Sequence, residues 1–170
     1  MEILNRNFFE RDTLVVAKEL LGKKLIFKDK QCIITETEAY IGMNDPACHA
    51  AVGKTKRNEV MFGNAGFSYV YLIYGMYHCL NFVTEKKEFP AAVLIRGAKV
   101  IDNNSQEIDL NGPGKLCRFL NITKEENNID IVKSDYFYLT ETGLKPKYKI
   151  TPRVGISKGK DKLWRFVVEN

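Results

Sequence analysis

The 170-residue sequence predicts an α+β fold: a single domain over residues 1–170, with a mostly antiparallel curved sheet, few helices and a protruding β-hairpin. Short runs rich in β-branched and aromatic residues recur along the chain, separated by glycine, proline or asparagine, as is typical of antiparallel strands. Only two segments show the start and stop residues of a helix. A chain of this length can bury one core, so we expect one domain.

The N-terminal part predicts a helix followed by a hairpin. Asp12 is a suitable N-cap for a helix over residues 12–21, whose apolar residues approximate one stripe, and Gly22 supplies the stop. Residues 24–27 and 31–40 then predict two strands around a turn at 28–30. Residues 42–66 show no sustained period and predict a long ordered loop, or a loop with one short helix. Loops of that length are usually functional.

The rest of the chain predicts a second hairpin, further strands and a short helix. Residues 67–73 and 78–84 flank an aromatic tip at 74–77, and residues 91–98 are typical of a buried strand. Pro113 suits the first turn of a helix over 114–120. Residues 121–134 are polar and predict a surface connection, and three more strands are predicted over 136–140, 153–156 and 163–168.

The composition restricts the class of protein without deciding it. The net charge of +5 and the pI near 8.9 permit binding to phosphate but do not demand it. No apolar run could span a bilayer, and the N-terminus MEILNRNFFERD does not resemble a signal peptide, so we expect a cytoplasmic protein with no membrane partner. The cysteines form no CxxC pair, so we expect no metal and mostly buried, reduced thiols at Cys32, Cys48, Cys79 and Cys117.

The first candidate site lies in residues 35–40, Thr-Glu-Thr-Glu-Ala-Tyr. Strand alternation puts Glu36, Glu38 and Tyr40 on one face. One interpretation is a solvated edge strand, where glutamates are routine. The other is a carboxylate beside an aromatic ring next to a long loop, a suitable place to hold an attacking water. Periodicity alone does not choose between Glu36 and Glu38.

The second candidate site is the aromatic tip of the second hairpin. Tyrosines in strands are usually half-buried packing residues, and Tyr71 fits that interpretation. Exposure of Tyr74, Met76 and Tyr77 on a turn would be unfavourable unless the tip enters a partner. Aromatic faces stack on nucleic-acid bases, and apolar tips wedge between base pairs.

Three further residues have both a structural and a functional interpretation. His49 lies in the long loop, where a lone histidine is more often incidental. Asn81 interrupts an apolar strand and must form a hydrogen bond if it is buried. Arg96 ends an apolar run and needs an anionic partner if it is buried, and Glu38 could be that partner.

Taken together, these segments resemble the alkyladenine (3-methyladenine, methylpurine) DNA glycosylase family, the type with a protruding β-hairpin. The hairpin stretch is long and chemically unusual enough to be specific, whereas TETEAY alone would not be. The matching stretches follow the family's order: TETEAY at 35–40, the loop ending in His49, RNEVMF at 57–62, YVYLIYGMYHCLN at 69–81, LIRGA at 94–98, NGPGKLC at 111–117 and PRVGI at 152–156.

The resemblance implies a monofunctional enzyme of base excision repair that flips alkylated or deaminated purines out of double-stranded DNA and hydrolyses their N-glycosidic bond, with no metal or organic cofactor. We expect it to act as a monomer. Glu38 matches the general base, and Arg96 the arginine that holds the water with a backbone carbonyl near Val154. The other matches are Tyr40, His49 and Tyr71 as walls of the base pocket, Asn81 as the side chain that excludes the guanine amine, Tyr74 as the intercalating residue, and Met76 and Tyr77 as further DNA contacts.

Two other functions remain open on these residues. One is a nucleic-acid-binding module that keeps the fold but not the reaction, and the presence of Glu38 and Arg96 argues against it. The other is a hydrolase of free nucleosides, in which an exposed hairpin tip has no use. Assays for release of free base from duplex DNA and from nucleosides distinguish the glycosylase, the binding module and the nucleoside hydrolase.

Overall fold

The computed structural model describes residues 1–101 and 104–170. The helices are α1 (Arg6–Phe9), α2 (Thr13–Glu19) and α3 (Pro113–Leu120), with 3₁₀ turns at His49–Val52, Glu59–Phe62 and Lys124–Glu126. The strands are β1 (Lys24–Phe27), β2 (Lys30–Ile41), β3 (Ser68–Ile73), β4 (Tyr77–Val83), β5 (Ala91–Ile101), β6 (Glu107–Asn111), β7 (Phe137–Thr140), β8 (Tyr148–Thr151) and β9 (Arg165–Val168).

These strands form one antiparallel sheet with the order β3-β4-β5-β2-β1-β7. On one edge of β5, the neighbour changes from β4 to β6, and on one edge of β2 it changes from β1 to β9, which also pairs with β8. The sheet therefore forks and curls instead of lying flat. The predicted α+β fold, with a mostly antiparallel curved sheet and few helices, is confirmed.

The helix α2 and the first hairpin form where the sequence predicts them, whereas the one-turn helix α1 was not predicted. The Asp12 carboxylate caps α2 by accepting the N–H of Leu14 at 2.9 Å. The helix ends at Glu19, two residues before the predicted end, and Gly22 turns the chain with a φ of +83° that a side chain would disfavour. The Gly22 N–H then donates to the carbonyl of Ile34 in β2 at 2.9 Å.

One predicted strand is wrong, and two observed strands, β6 and β8, were not predicted. Residues 153–156 are not a strand. The strand in this region is β8, which ends at Thr151, and the chain leaves the sheet at Pro152 because proline has no N–H to donate to a ladder. Gly155, with a φ of +75°, bends the segment further. The strand β6 was not predicted because its sequence, Glu-Ile-Asp-Leu-Asn, has only two apolar residues. Four of its five side chains are exposed.

The long loop at 42–66 is ordered by its own polar side chains and contains two 3₁₀ turns, where the sequence predicted one short helix at most. Asn58 is 2% exposed, and its Nδ2 donates to the carbonyls of His49 at 3.0 Å and Gly53 at 2.9 Å. Its Oδ1 accepts the N–H of Thr55 at 2.7 Å. A buried amide satisfied in this way holds the two turns together.

The main core lies between α2 and the sheet, where Val16, Ala17 and Leu20 are fully buried. A smaller cluster, which includes Met61, Phe62 and Tyr69, packs beneath the long loop. All four cysteines are free and buried, as expected. Among the described residues, no helix is long and apolar enough to cross a membrane.

The hairpin of β3 and β4 turns through Tyr74 and Gly75, which have φ angles of +52° and +64°. The N–H of Met76 donates to the carbonyl of Ile73 at 3.1 Å, and two positive φ angles inside such a bond are the requirement of a type I′ turn. A bulky side chain at positive φ costs about 1–3 kcal/mol, and such strain is concentrated at functional sites. The Tyr74 side chain is 87% exposed, so the cost is met by the turn and the hairpin ladder and not by burial of its ring.

Candidate active site

A cleft of about 670 Å³ opens between the long loop, the β3–β4 hairpin and the segment at 154–158. Its lining combines a buried acid, two arginines and several aromatic rings. The residues that the argument uses are Glu38, Arg96 and Cys79 at the inner end, Tyr40, His49 and Tyr71 along the walls, and Arg57, Tyr74, Val154 and Lys158.

Glu38 lies at the inner end of the cleft on β2 and is 0% exposed. Its Oε2 accepts the N–H of Val154 at 2.6 Å, and its Oε1 accepts the hydroxyl of Tyr40 at 3.1 Å. Burial raises the pKa of Glu38 above its ordinary value, while the Val154 N–H, the charge of Arg96 and the Tyr40 hydroxyl act against burial. Glu38 is thus a desolvated carboxyl held in one orientation, with a pKa moved toward the range of a general base.

Arg96 reaches Glu38 because of a double irregularity between β2 and β5. Pairing shifts between Ile34 and Glu36 and again between Glu36 and Thr37, which leaves Arg96 without a partner in the ladder. The Arg96 Nε lies 3.6 Å from Glu36 Oε1 and 3.7 Å from Glu38 Oε1, so the predicted contact with Glu38 forms but is shared.

The two glutamates have different surroundings even though both approach Arg96. Glu36 Oε1 also accepts the Nε of Arg165 at 2.6 Å, and Glu36 lines a separate cavity of about 510 Å³. Only Glu38 lines the cleft. The interpretation of a solvated edge strand is wrong, because β2 pairs with strands on both edges and both glutamates are buried.

The aromatic walls are fixed by contacts with one another. The rings of His49 and Tyr71 lie with centroids 4.3 Å apart, and His49 Nδ1 shares a hydrogen bond of 2.9 Å with the hydroxyl of Tyr69. Burial lowers the pKa of His49, and the positive charge of Arg57 acts in the same direction, so both disfavour the protonated ring. Burial and the nearby Glu38 raise the pKa of Tyr40, which keeps its hydroxyl a donor.

The structure does not bring every predicted site residue into the cleft. Asn81 is 3% exposed, lies two positions beyond Cys79 on the same face of β4, and donates to the carbonyl of Tyr69 at 3.2 Å. Tyr77 packs on α3, where a Cβ on Gly114 would lie 2.9 Å from the Tyr77 ring. Met76 is 68% exposed at the hairpin tip, and of the tip residues only Tyr74 also lines the cleft.

Sequence reasoning missed the buried ion pair behind the cleft, formed by Arg153 and Asp45. Both side chains are 0% exposed, and Arg153 NH1 and NH2 donate to the two oxygens of Asp45 at 2.6 and 2.8 Å. The available signal was a pair of charged residues inside stretches that otherwise matched the family. In the described part of the chain, no group of three or more His, Cys, Asp or Glu side chains could hold a metal ion.

The comparison with known proteins decides the family. The model of the methylpurine-DNA glycosylase family matches residues 7–170. The chain belongs to the methylpurine-DNA glycosylase family. Its geometry agrees with such an enzyme: a hydrolase of N-glycosyl bonds needs an activated water and room for a base, and the cleft combines a buried carboxyl with aromatic walls.

Relatives in this glycosylase family match nearly the whole chain. A protein of Rickettsia rickettsii (strain Sheila Smith) named as a 3-methyladenine DNA glycosylase is 61% identical over 165 residues, which cover 97% of this chain and 89% of that protein. One of Wolbachia pipientis wMel with the same name is 64% identical over 164 residues, covering 96% and 90%. One of Ehrlichia chaffeensis is 59% identical over 167 residues, covering 98% and 93%. The chain is therefore a DNA glycosylase of base excision repair.

Proposed function

We propose that this glycosylase acts as a monomer on alkylated or deaminated purines in double-stranded DNA, and that it is monofunctional, with water as the nucleophile. The observation that carries the proposal is Glu38, a fully buried carboxyl with a raised pKa at the inner end of a cleft walled by aromatic rings. The names of the Rickettsia and Wolbachia relatives agree with an alkylated purine as substrate.

A base within a duplex cannot reach Glu38, so the damaged nucleotide must rotate out of the stack into the cleft. The cost is roughly a few kcal/mol and is smallest for damaged or mismatched pairs, which favours lesions from the start. Tyr74, at the exposed hairpin tip on the rim of the cleft, fills the gap that the base leaves. Arg57 and Lys158, which also line the cleft, are placed to contact phosphates.

The flipped base stacks between the aromatic walls. Tyr40, His49 and Tyr71 present electron-rich faces, and a cationic purine such as 3-methyladenine is electron-poor. The lowered pKa of His49 disfavours a charged ring, which would repel a cationic base. Asn81 lies behind Cys79, so it excludes the amine of guanine only if the base edge reaches past the Cys79 thiol.

The water attacks from the inner end of the cleft. Glu38 Oε1 and Arg96 Nε are 3.7 Å apart, longer than a direct hydrogen bond, so one water can contact both. The water oxygen forms a bond to C1′ of the sugar, Glu38 takes its proton, and the electron pair of the breaking N-glycosidic bond leaves with the base. A cationic base departs neutral. A neutral base such as hypoxanthine must gain a proton as it leaves.

The test uses oligonucleotide duplexes that each carry one lesion, with 3-methyladenine, 7-methylguanine, hypoxanthine and etheno-adenine in separate reactions. Abasic sites are scored after alkaline cleavage, with the matching free nucleosides and Glu38→Gln as controls. We expect abasic sites in at least one lesion duplex, release that is slower by about 10²-fold or more with Glu38→Gln, and no release from nucleosides. Binding of lesion duplexes without base release would indicate the non-catalytic module, and release from nucleosides alone would indicate a nucleoside hydrolase.

A further inference from the structure

We propose that Arg153, which lies behind the cleft and does not line it, is a positioning residue: its buried pair with Asp45 sets the Tyr40 wall, the loop that carries His49 and the Val154 amide that orients Glu38. The inference deepens the proposed function and rests on it.

Both terminal nitrogens of the buried Arg153 guanidinium are hydrogen-bonded, whereas its buried Nε has no partner among the described residues. Besides its two bonds to Asp45, NH1 donates to the carbonyl of Ala39 at 2.9 Å. The guanidinium carbon lies 4.7 Å from the ring centroid of Tyr40 and 5.1 Å from that of Trp164. A planar fork that satisfies a carboxylate and contacts aromatic rings at the same time is particular to arginine.

The first consequence of this pair concerns the two walls. Ala39 and Tyr40 are neighbours on β2, so the guanidinium holds the strand by its carbonyl and the Tyr40 ring by contact. Asp45 also accepts the N–H of Ile41 and of Ala47, each at 3.1 Å. The loop thus leaves β2 in one conformation and continues directly to His49.

The second consequence concerns the general base. Val154 follows Arg153 in the chain, and its N–H donates to Glu38 Oε2 at 2.6 Å. Residues 153–156 have no strand ladder to hold them, so the position of that N–H depends on the anchored Arg153. The groups that act on the Glu38 carboxyl include this N–H, the Tyr40 hydroxyl, and the charges of Arg96 and Glu36. The positive charge of Arg153 also interacts with Glu38, and Arg153→Lys keeps that charge. Arg153 fixes the position of the Val154 N–H and contacts the Tyr40 ring.

Arg6 serves as a control arginine, although its side chain is partly exposed and makes one bond to a carboxylate where the buried Arg153 makes two. Arg6 donates to Asp130 at 2.6 Å and to the carbonyl of Ala65 at 2.7 Å, and its guanidinium carbon lies 5.3 Å from the ring centroid of Phe67. These are the same three kinds of contact, away from the cleft lining. Arg153→Lys and Arg6→Lys both keep the positive charge and lose the fork.

The experiment measures the single-turnover rate of base release against pH, and duplex affinity, for Arg153→Lys and Arg6→Lys. We expect Arg153→Lys to lose about 10- to 100-fold in rate, the scale of an ångström-sized misplacement. Its acid limb should move to higher pH, since a weaker Val154 bond no longer lowers the pKa of Glu38. Duplex affinity should change by only a few-fold. Arg6→Lys should match the wild type in rate and pH profile.

Three outcomes separate the inference from a purely structural role. If Arg153→Lys is as active as Arg6→Lys and keeps the wild-type pH profile, Arg153 only stabilises the fold and the proposal is overturned. If Arg153→Lys does not fold, Asp45→Asn and carbon-13 NMR titration of the Glu38 carboxyl replace it, and an unchanged titration refutes the proposal. If the wild type releases no base from any lesion duplex, the proposed function fails, while the NMR titration still judges the positioning role.

Discussion

Replacing each of the two neighbouring glutamates by glutamine tests the assignment of the general base. Glutamine is nearly isosteric with glutamate but cannot take a proton from water. General-base catalysis contributes about 10²–10⁴-fold, or about 3–5 kcal/mol of transition-state stabilisation. Since Glu38 is the only one of the two in the cleft, Glu38→Gln should lose at least that factor in single-turnover rate. Its affinity for the lesion duplex should hold or improve, because a negative charge is lost.

Glu36→Gln is the matched control, and the structure predicts a specific and different effect. Both glutamates are within 4 Å of Arg96, but Glu36 also pairs with Arg165. The negative charge of Glu36 raises the pKa of Glu38, so its removal lowers that pKa. Glu36→Gln should therefore change the maximal rate by only a few-fold and move the acid limb to lower pH.

The assay is single-turnover release from a lesion duplex between about pH 5 and 9, a range that brackets a carboxyl titrating above its ordinary value. Thermal melts of both variants accompany it, because each removes one of the two carboxylates beside the partly buried Arg96 and could destabilise the fold. An active Glu38→Gln variant together with an inactive Glu36→Gln variant would refute the choice of Glu38 as the general base. Full activity in both would refute the mechanism.

Three further predictions follow from the hairpin, from the cleft and from the buried acid. Tyr74→Ala should weaken binding to lesion and abasic duplexes and slow base release, as gel-shift and single-turnover assays would show; unchanged values would make Tyr74 an ordinary surface residue. Asn81→Ser should permit slow guanine release from undamaged DNA if the Asn81 side chain limits the depth of the pocket, whereas an unfolded variant would indicate a structural role for the bond to Tyr69. The melting temperature of Glu38→Gln relative to wild type should rise as pH increases from below the ordinary glutamate pKa through the raised pKa of Glu38, because the folded state disfavours the ionised carboxylate; a pH-independent difference would contradict that shift.

Local sequence patterns predicted most of the fold because its elements are stabilised locally. The Asp12 cap and Gly22 place α2, and alternating apolar residues with a two-positive-φ turn place the β3–β4 hairpin. Where local pattern and tertiary contact disagree, the pattern fails: Val154 and Ile156 suggest a strand by their β-branched side chains, yet Pro152 and the buried Arg153 take that segment out of the sheet.

The candidate site divides in the same way. Residue types and their order were enough to select Glu38, Tyr40, Tyr71 and Arg96 as candidates through the family resemblance, but strand alternation treats Glu36 and Glu38 as equivalent. The irregularity between β2 and β5 and the pairing with β9 decide which of them enters the cleft. The pair of Arg153 and Asp45 joins residues 108 positions apart, and a charge becomes buried only when the chain that surrounds it has folded, so only the tertiary structure could reveal it.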